Sequence, residues 1–165
     1  MEPAYGLSDD QPTARFRRAV ENHDVEGALA TLAPDVVLRS PITDRIAFRG
    51  IDEMRDLFPS IFATIKNIHY FADIGDAATR ALFYNARVNG EPVEEATRVE
   101  LDESQRIKEI TIFFRPLPGL ATFTAAMAPR VARRRGWLRA MIARLLVAPL
   151  GVATRFGDRI ITKLA

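Results

Sequence analysis

Tyr84 and Glu95 lie on either side of Asn89-Gly90, and that dipeptide decides where they meet. Asn-Gly is a strong signal for a two-residue hairpin turn. Counting outward from it, Val88 pairs with Glu91, Ala86 with Val93, Tyr84 with Glu95 and Leu82 with Thr97. Direct cross-strand partners share a face. A second turn around Glu103-Ser104-Gln105-Arg106 then sets Val99 opposite Ile110, Thr97 opposite Ile112 and Glu95 opposite Phe114. The shared face is apolar except for one carboxyl, Glu95, with the Tyr84 phenol beside it. Desolvation disfavours the charge of such a carboxyl and raises its pKa unless it is paired. Glu95 with Tyr84 is therefore the candidate acid/base pair. The same pair also reads as a structural hydrogen bond, or as a carboxylate at a wet pocket rim. A slip of one residue in register would separate them.

Other titratable groups carry weaker signals. His69 shares parity with Asn67, Phe71 and Asp73, which places it on the wetter face of its strand, opposite Ile68, Tyr70, Ala72 and Ile74. His23 follows the first helical segment and suits its negative C-terminal end. Two distant histidines and no cysteine give no metal site and no disulfide. Motifs for phosphate loops, nucleophile elbows and zinc peptidases are absent, so no cofactor is expected. Asp35, after Pro34, suits a turn or cap. Arg115 falls opposite Glu94 and reads as its ion-pair partner, with anion binding as the alternative.

The elements that must position these groups follow a simple order. Residues 1–11 have little to bury and read as a flexible N-terminus. Pro12 suits a first helical turn, and Phe16, Ala19 and Val20 carry helical spacing to about Glu21. Asp24 caps a second short helix, Val25 to Leu32, which Pro34 ends. Residues 36–40 read as a strand. Gly50 and Asp52 introduce a helix with Met54, Leu57, Phe58, Ile61 and Phe62 on one side and Pro59 as a kink point. Strands follow at 67–75, 78–88, 92–102 and 106–115, and Pro116-Leu117-Pro118-Gly119 stops the sheet. Helices first and long antiparallel strands after argue an α+β fold, a curved antiparallel sheet packed by the N-terminal helices.

The order resembles the SnoaL-like branch of the nuclear transport factor 2-like superfamily. The stretches that carry the resemblance are FRRAVENHDVEGALATLAPDVVLRSP, FRGIDEMRDLF and RIKEITIFFRP, all within residues 15–120. The resemblance implies a cone-shaped α+β barrel with a pocket between sheet and helices, and a homodimer. The resemblance assigns residues 12–118 to the domain, and residues 119–165 are expected to follow it as a basic amphipathic helical tail, a C-terminal helical extension. Phe16, Met54, Phe58, Tyr70, Leu82, Thr97, Ile112 and Phe114 are the expected pocket lining. The superfamily holds isomerases, polyketide cyclases, epoxide hydrolases, dehydratases and non-catalytic binders, so fold does not give function. Its enzyme signatures are missing here. Ser40, before Pro41, stands where ketosteroid isomerases place a base aspartate. Ile112 stands where limonene-epoxide hydrolases and SnoaL-type cyclases place an acid. Residues 78–88 contain no Arg-x-Asp.

Charge sets the end of the chain apart. Residues 1–115 hold 14 basic and 20 acidic side chains, and residues 116–165 hold 9 and 1. In RRRGWLRAMIARLL, Trp137, Leu138, Met141, Ile142, Leu145 and Leu146 recur at helical spacing, while Arg133, Arg134, Arg135 and Arg139 supply the polar side. After Pro149 and Gly151, Val152, Phe156, Ile160 and Leu164 repeat every fourth residue. Two basic amphipathic helices are expected. They fit the domain's own acidic surface or a dimer partner, or an anionic membrane. Nucleic acid is disfavoured, because one Trp and one Phe make a thin stacking platform. The apolar run 145–154 is too short for a membrane span, which needs roughly 20 residues. The N-terminus lacks the apolar region of a secretory signal. The expected location is cytoplasmic, with peripheral membrane contact through the tail.

Three functions compete on this reading. The first is a pocket protein for an apolar or amphipathic small molecule, whose tail docks on a membrane or on the domain. The second is an isomerase, cyclase or hydrolase using Glu95 and Tyr84. The third is a structural dimer or adaptor with a vestigial pocket.

Overall fold

A computed structural model of the chain describes residues 6–132, with side chains through Arg130. The elements run α1 (Ala14–Glu21), α2 (Val25–Leu29), β1 (Leu32–Arg39), β2 (Ala47–Arg49), α3 (Gly50–Thr64), β3 (Ile65–Gly75), β4 (Thr79–Val88), β5 (Glu91–Leu101), β6 (Ile107–Arg115) and α4 (Leu117–Ala132). The fold is α+β: a six-stranded curved sheet in the order β2-β1-β6-β5-β4-β3, with the helices packed against it. Every neighbouring pair is antiparallel except β1 with β6, which is parallel.

The hairpin counted from Asn89-Gly90 forms in the expected register. Both turn residues have positive φ, 50° and 86°, as a type I′ turn requires. Leu82 pairs with Thr97, Tyr84 with Glu95 and Ala86 with Val93. Across the next turn, Glu95 pairs with Phe114, Thr97 with Ile112 and Val99 with Ile110. Strict alternation of buried and exposed residues along β4 follows from the pleat.

The helices bury the faces that the spacing marks. Phe16, Ala19 and Val20 of α1 and Met54, Leu57, Phe58 and Phe62 of α3 enter one core with the inner face of the sheet. The Asp24 side chain accepts the Gly27 N–H at 2.9 Å and so caps α2.

Several elements differ from the sequence reading. The second helix stops at Leu29, and β1 begins at Leu32 and runs through Pro34. Pro34 fits there because the pairing with β6 skips from Leu32 to Val37, so its missing N–H leaves no gap in the ladder. Asp35 is consequently an exposed strand residue and not a turn or cap. The short strand β2 has no counterpart in the expected order. Residues 6–11, taken as flexible, are tied down: Arg17 Nη2 donates to the Ser8 carbonyl at 2.8 Å, and Gln11 Nε2 reaches the Asp73 carbonyl at 3.4 Å.

The C-terminal helical extension is present as α4, but it begins earlier and packs closer than expected. Pro116-Leu117-Pro118-Gly119 does stop the sheet, but a helix starts within it and packs on α3, β5 and β6. A Cβ at Gly119 would stand 2.5 Å from Val93 Cγ1, so the first turn of α4 lies almost on β5. Phe123 and Met127 are buried in the core, so part of the segment expected as tail closes the domain. No helix among the described residues is long and apolar enough to cross a membrane. Trp137, Arg133, Arg134, Arg135 and Arg139, with the amphipathic helices expected around them, lie outside the described residues.

Candidate functional site

A cavity of about 50 Å³ lies between the inner face of the sheet and helices α1, α3 and α4. Phe16 and Val20 reach it from α1, Phe58, Ile61 and Phe62 from α3, and Phe123 from α4. The sheet contributes Leu38, Ile65, Tyr70, Tyr84, Glu95, Thr97, Ile110 and Ile112. Of the expected lining, Phe16, Phe58, Tyr70, Thr97 and Ile112 are present. Met54 and Leu82 are instead fully buried in the core and do not line the cavity. Phe114 stacks on Phe123, with ring centroids 5.0 Å apart, and does not line the cavity. Phe123 lies in the expected C-terminal helical extension, whose apolar positions are legible only from Trp137 onward, so its place on the cavity wall was not foreseen.

Glu95 is the one carboxyl on the cavity wall among the described residues, and it is 5% exposed. The Tyr84 hydroxyl donates to its Oε2 across the β4–β5 pair. Thr97, two residues along and on the same face, donates to Oε1 at 2.7 Å. Burial pushes the Glu95 pKa up to about 7, and the two hydroxyl donors pull against that rise. Tyr70 stands opposite Tyr84 on β3, edge-on to it at 5.2 Å. Both phenols are pushed well above their ordinary value, first by burial and then by the Glu95 charge. Near neutral pH both tyrosines therefore remain donors while Glu95 exchanges a proton.

Tyr70 owes its place to an irregular strand. The pairing of β3 with β4 shifts between Lys66 and His69 and again between Tyr70 and Ala72. The Tyr70 N–H, next to this bulge, donates to Glu21 Oε1 of α1 at 2.8 Å. The bulge also reverses the parity beyond it. Asp73, expected on the wet face with His69, is 1% exposed, while Ile74 is 54% exposed. Asp73 accepts from Thr13 Oγ1 at 2.5 Å and Arg80 Nε at 2.6 Å. Arg17 Nε stands 2.9 Å from its Oδ2, at ion-pair distance but without hydrogen-bond geometry. This buried cluster joins α1, β3 and β4 and lies outside the cavity lining.

The histidines divide. His69 is on the wet face as expected, its side chain 80% exposed and its Nδ1 3.8 Å from Glu21 Oε1. His23 stacks on Phe62 at 5.1 Å, and its Nε2 is buried without a hydrogen-bond partner. Burial, and then Lys66, hold its pKa below the ordinary value. That favours a neutral ring and corrects the expectation of a cation at the helix end. Arg115 pairs with Glu94 at 3.4 Å on the exposed face. Among the described residues no three His, Asp or Glu side chains converge in a way that could hold a metal ion.

The sequence profile of the SnoaL-like domain family matches residues 13–110, more than half of the chain. The chain belongs to the SnoaL-like domain family. No curated protein matches its sequence. Solved structures share the fold at low identity. A steroid delta-isomerase from Pseudomonas aeruginosa superposes with a TM-score of 0.66 at 22% identity, over 74% of this chain and 90% of that one. A protein of cystatin-like fold from Silicibacter pomeroyi, of uncharacterised function, gives 0.70 at 21% identity, over 80% and 93%. A putative polyketide cyclase from Sinorhizobium meliloti gives 0.54 at 17%, over 64% and 94%. At these identities the likeness carries the SnoaL-like fold and not the chemistry.

Proposed function

We propose that this SnoaL-like domain binds a small apolar or amphipathic molecule between sheet and helices, with the ligand's polar group against Glu95. The observation that carries this reading is a buried carboxyl, held by the Tyr84 and Thr97 hydroxyls, on a cavity wall otherwise made almost entirely of apolar side chains. Apolar walls with few placed polar groups are the usual composition of a ligand site. The cavity is small, about 50 Å³. A cavity that admits benzene measures roughly 150 Å³. Ligand entry therefore requires the side chains of α3 and α4, above all Phe58, Phe62 and Phe123, to move. The test is mass spectrometry of small molecules extracted from the purified full chain and from Ile112→Trp, which fills the cavity. A defined metabolite in the first and not in the second supports the reading. The same molecules in both would refute it.

A second reading is favoured by the same buried carboxyl, whose pKa burial raises to about 7. A group whose pKa lies near the working pH is suited to general acid/base catalysis. Glu95 would then move a proton on the bound molecule, with Tyr84 and Tyr70 as the neighbouring donors. Among the structural neighbours are proteins described as isomerases and cyclases. Retention of full turnover by Glu95→Gln on a confirmed substrate would exclude this role.

The basic segment 133–165 completes the proposal. It holds 8 basic and 1 acidic side chains against 15 and 20 in residues 1–132. We propose that it docks on an anionic surface, either a membrane or the domain itself. Flotation with anionic and with neutral vesicles separates these destinations.

A further inference from the structure

The ligand's polar group has a chemistry that the wall itself restricts. Tyr84 and Thr97 both spend their hydroxyl protons on Glu95, one on each oxygen. That pattern suits an ionised carboxylate, which only accepts. No lysine, arginine or histidine lines the cavity among the described residues. A buried carboxylate with no counter-charge is costly, and an arriving cation would relieve the cost. The rest of the wall is rich in aromatic faces, from Phe16, Phe58, Phe62 and Phe123. Such faces attract cations. An anionic ligand would meet a like charge, and a ketone would find the Tyr84 and Thr97 protons already committed. The Tyr70 hydroxyl can take either role and does not discriminate.

From the committed donors, the missing counter-charge and the aromatic walls, we infer that the cavity takes a protonated amine, its ammonium donating to Glu95 and its apolar part lying among the rings. This inference rests on the binding reading above. The titratable groups facing Glu95 are Tyr84 and Tyr70, from β4 and β3. The helices present only apolar side chains to the cavity, as does β6, and Thr97 does not titrate in the accessible range. The pH dependence of binding is therefore that of Glu95 on the acid side and of the amine on the alkaline side.

The experiment uses the full chain and four small branched probes of similar shape: isobutylammonium, isobutanol, methyl isopropyl ketone and isobutyrate. Binding is read from the methyl NMR signals of Ile110 and Ile112, which excludes adventitious pairing with surface carboxylates. The expected result is that isobutylammonium perturbs both methyls at pH 8 about tenfold more tightly than isobutanol. Isobutyrate should have no effect. With Glu95 titrating near 7, the amine should bind about tenfold more weakly at pH 6 than at pH 8. Glu95→Gln should remove the preference for the amine over the alcohol. Equal or tighter binding of the ketone or the alcohol would overturn the amine inference and leave the pocket reading standing. If none of the four perturbs Ile110 or Ile112, both readings fall.

Discussion

Tyr84 and Glu95 face each other from adjacent strands, and the phenol donates to the carboxyl inside the core. The contact sets two opposing effects on one group. Burial favours the neutral acid, while the Tyr84 and Thr97 hydroxyls favour the carboxylate. Burial wins, and the acid is left close to half ionised at neutral pH.

That balance has a consequence for stability. The folded pKa, about 7, is above the ordinary 4.5 of an unfolded chain. Between those values the folded state holds the proton that the unfolded state has lost, so stability falls as pH rises. The full contribution of the neutral acid is present below pH 4.5 and is gone above about 7. At about 1.4 kcal/mol per unit, the loss between pH 5 and pH 8 is roughly 2–3 kcal/mol. Glu95→Gln, which mimics the protonated form, should flatten this part of the profile. Denaturant unfolding of both proteins at the two pH values measures it.

Tyr84→Phe removes one of the two donors that favour the carboxylate. The Glu95 pKa should then rise further above its ordinary value. Loss of the buried hydrogen bond should cost about 1–3 kcal/mol. A carboxyl titration followed by NMR, together with an unfolding curve, reads both effects. A Glu95 midpoint that does not rise would mean that the phenol does not act on the carboxyl.

How far the site could be read in advance depended on where the chain is regular. The Asn89-Gly90 turn fixes its register by its own backbone requirement, so Tyr84, Glu95 and Thr97 follow by counting, and Ile112 follows from the turn after β5. Regular alternation failed on β3. The first of two shifts there spans Asn67, whose φ of 55° is a left-handed conformation that asparagine tolerates, and beside the second the Tyr70 N–H donates to the Glu21 carboxylate, a long-range contact that NIHYFADIG does not announce. Asp73 was therefore assigned to water when it belongs to the interior. The C-terminal helix was expected, but not its place in the core: Leu117-Pro118-Gly119 reads as a break between domain and tail, although proline is well suited to a first helical turn. With that place went Phe123, the wall of the cavity farthest in sequence from α1.

Asp73 should matter to folding and not to the site. Asp73→Asn leaves Arg17 and Arg80 buried with reduced compensation, 8% and 7% exposed. Breaking a buried pair by removing one partner costs roughly 3–5 kcal/mol, and the isosteric Asn should fall toward the lower end. Chemical denaturation gives the loss. The Glu95 midpoint should not move in the same variant, since Asp73 does not contribute to its shift.

Phe123 carries the docking of α4. It is 6% exposed and stacks on Phe114. Phe123→Ala should destabilise the domain by about 3–5 kcal/mol and enlarge the cavity. If α4 is the movable wall, the same variant should bind small apolar probes more tightly per folded molecule. Isothermal titration at a temperature where the variant stays folded would check this, and unchanged probe affinity would place the opening elsewhere.

The most direct measurement of the central claim is a site-resolved titration of the Glu95 side-chain carboxyl in the full chain by carbon NMR. The expected midpoint is about 7, with Tyr84 and Tyr70 still protonated throughout. A midpoint near the ordinary 4.5 would mean that Glu95 is well solvated or paired with a cation, and that no neutral-pH acid stands on the cavity wall.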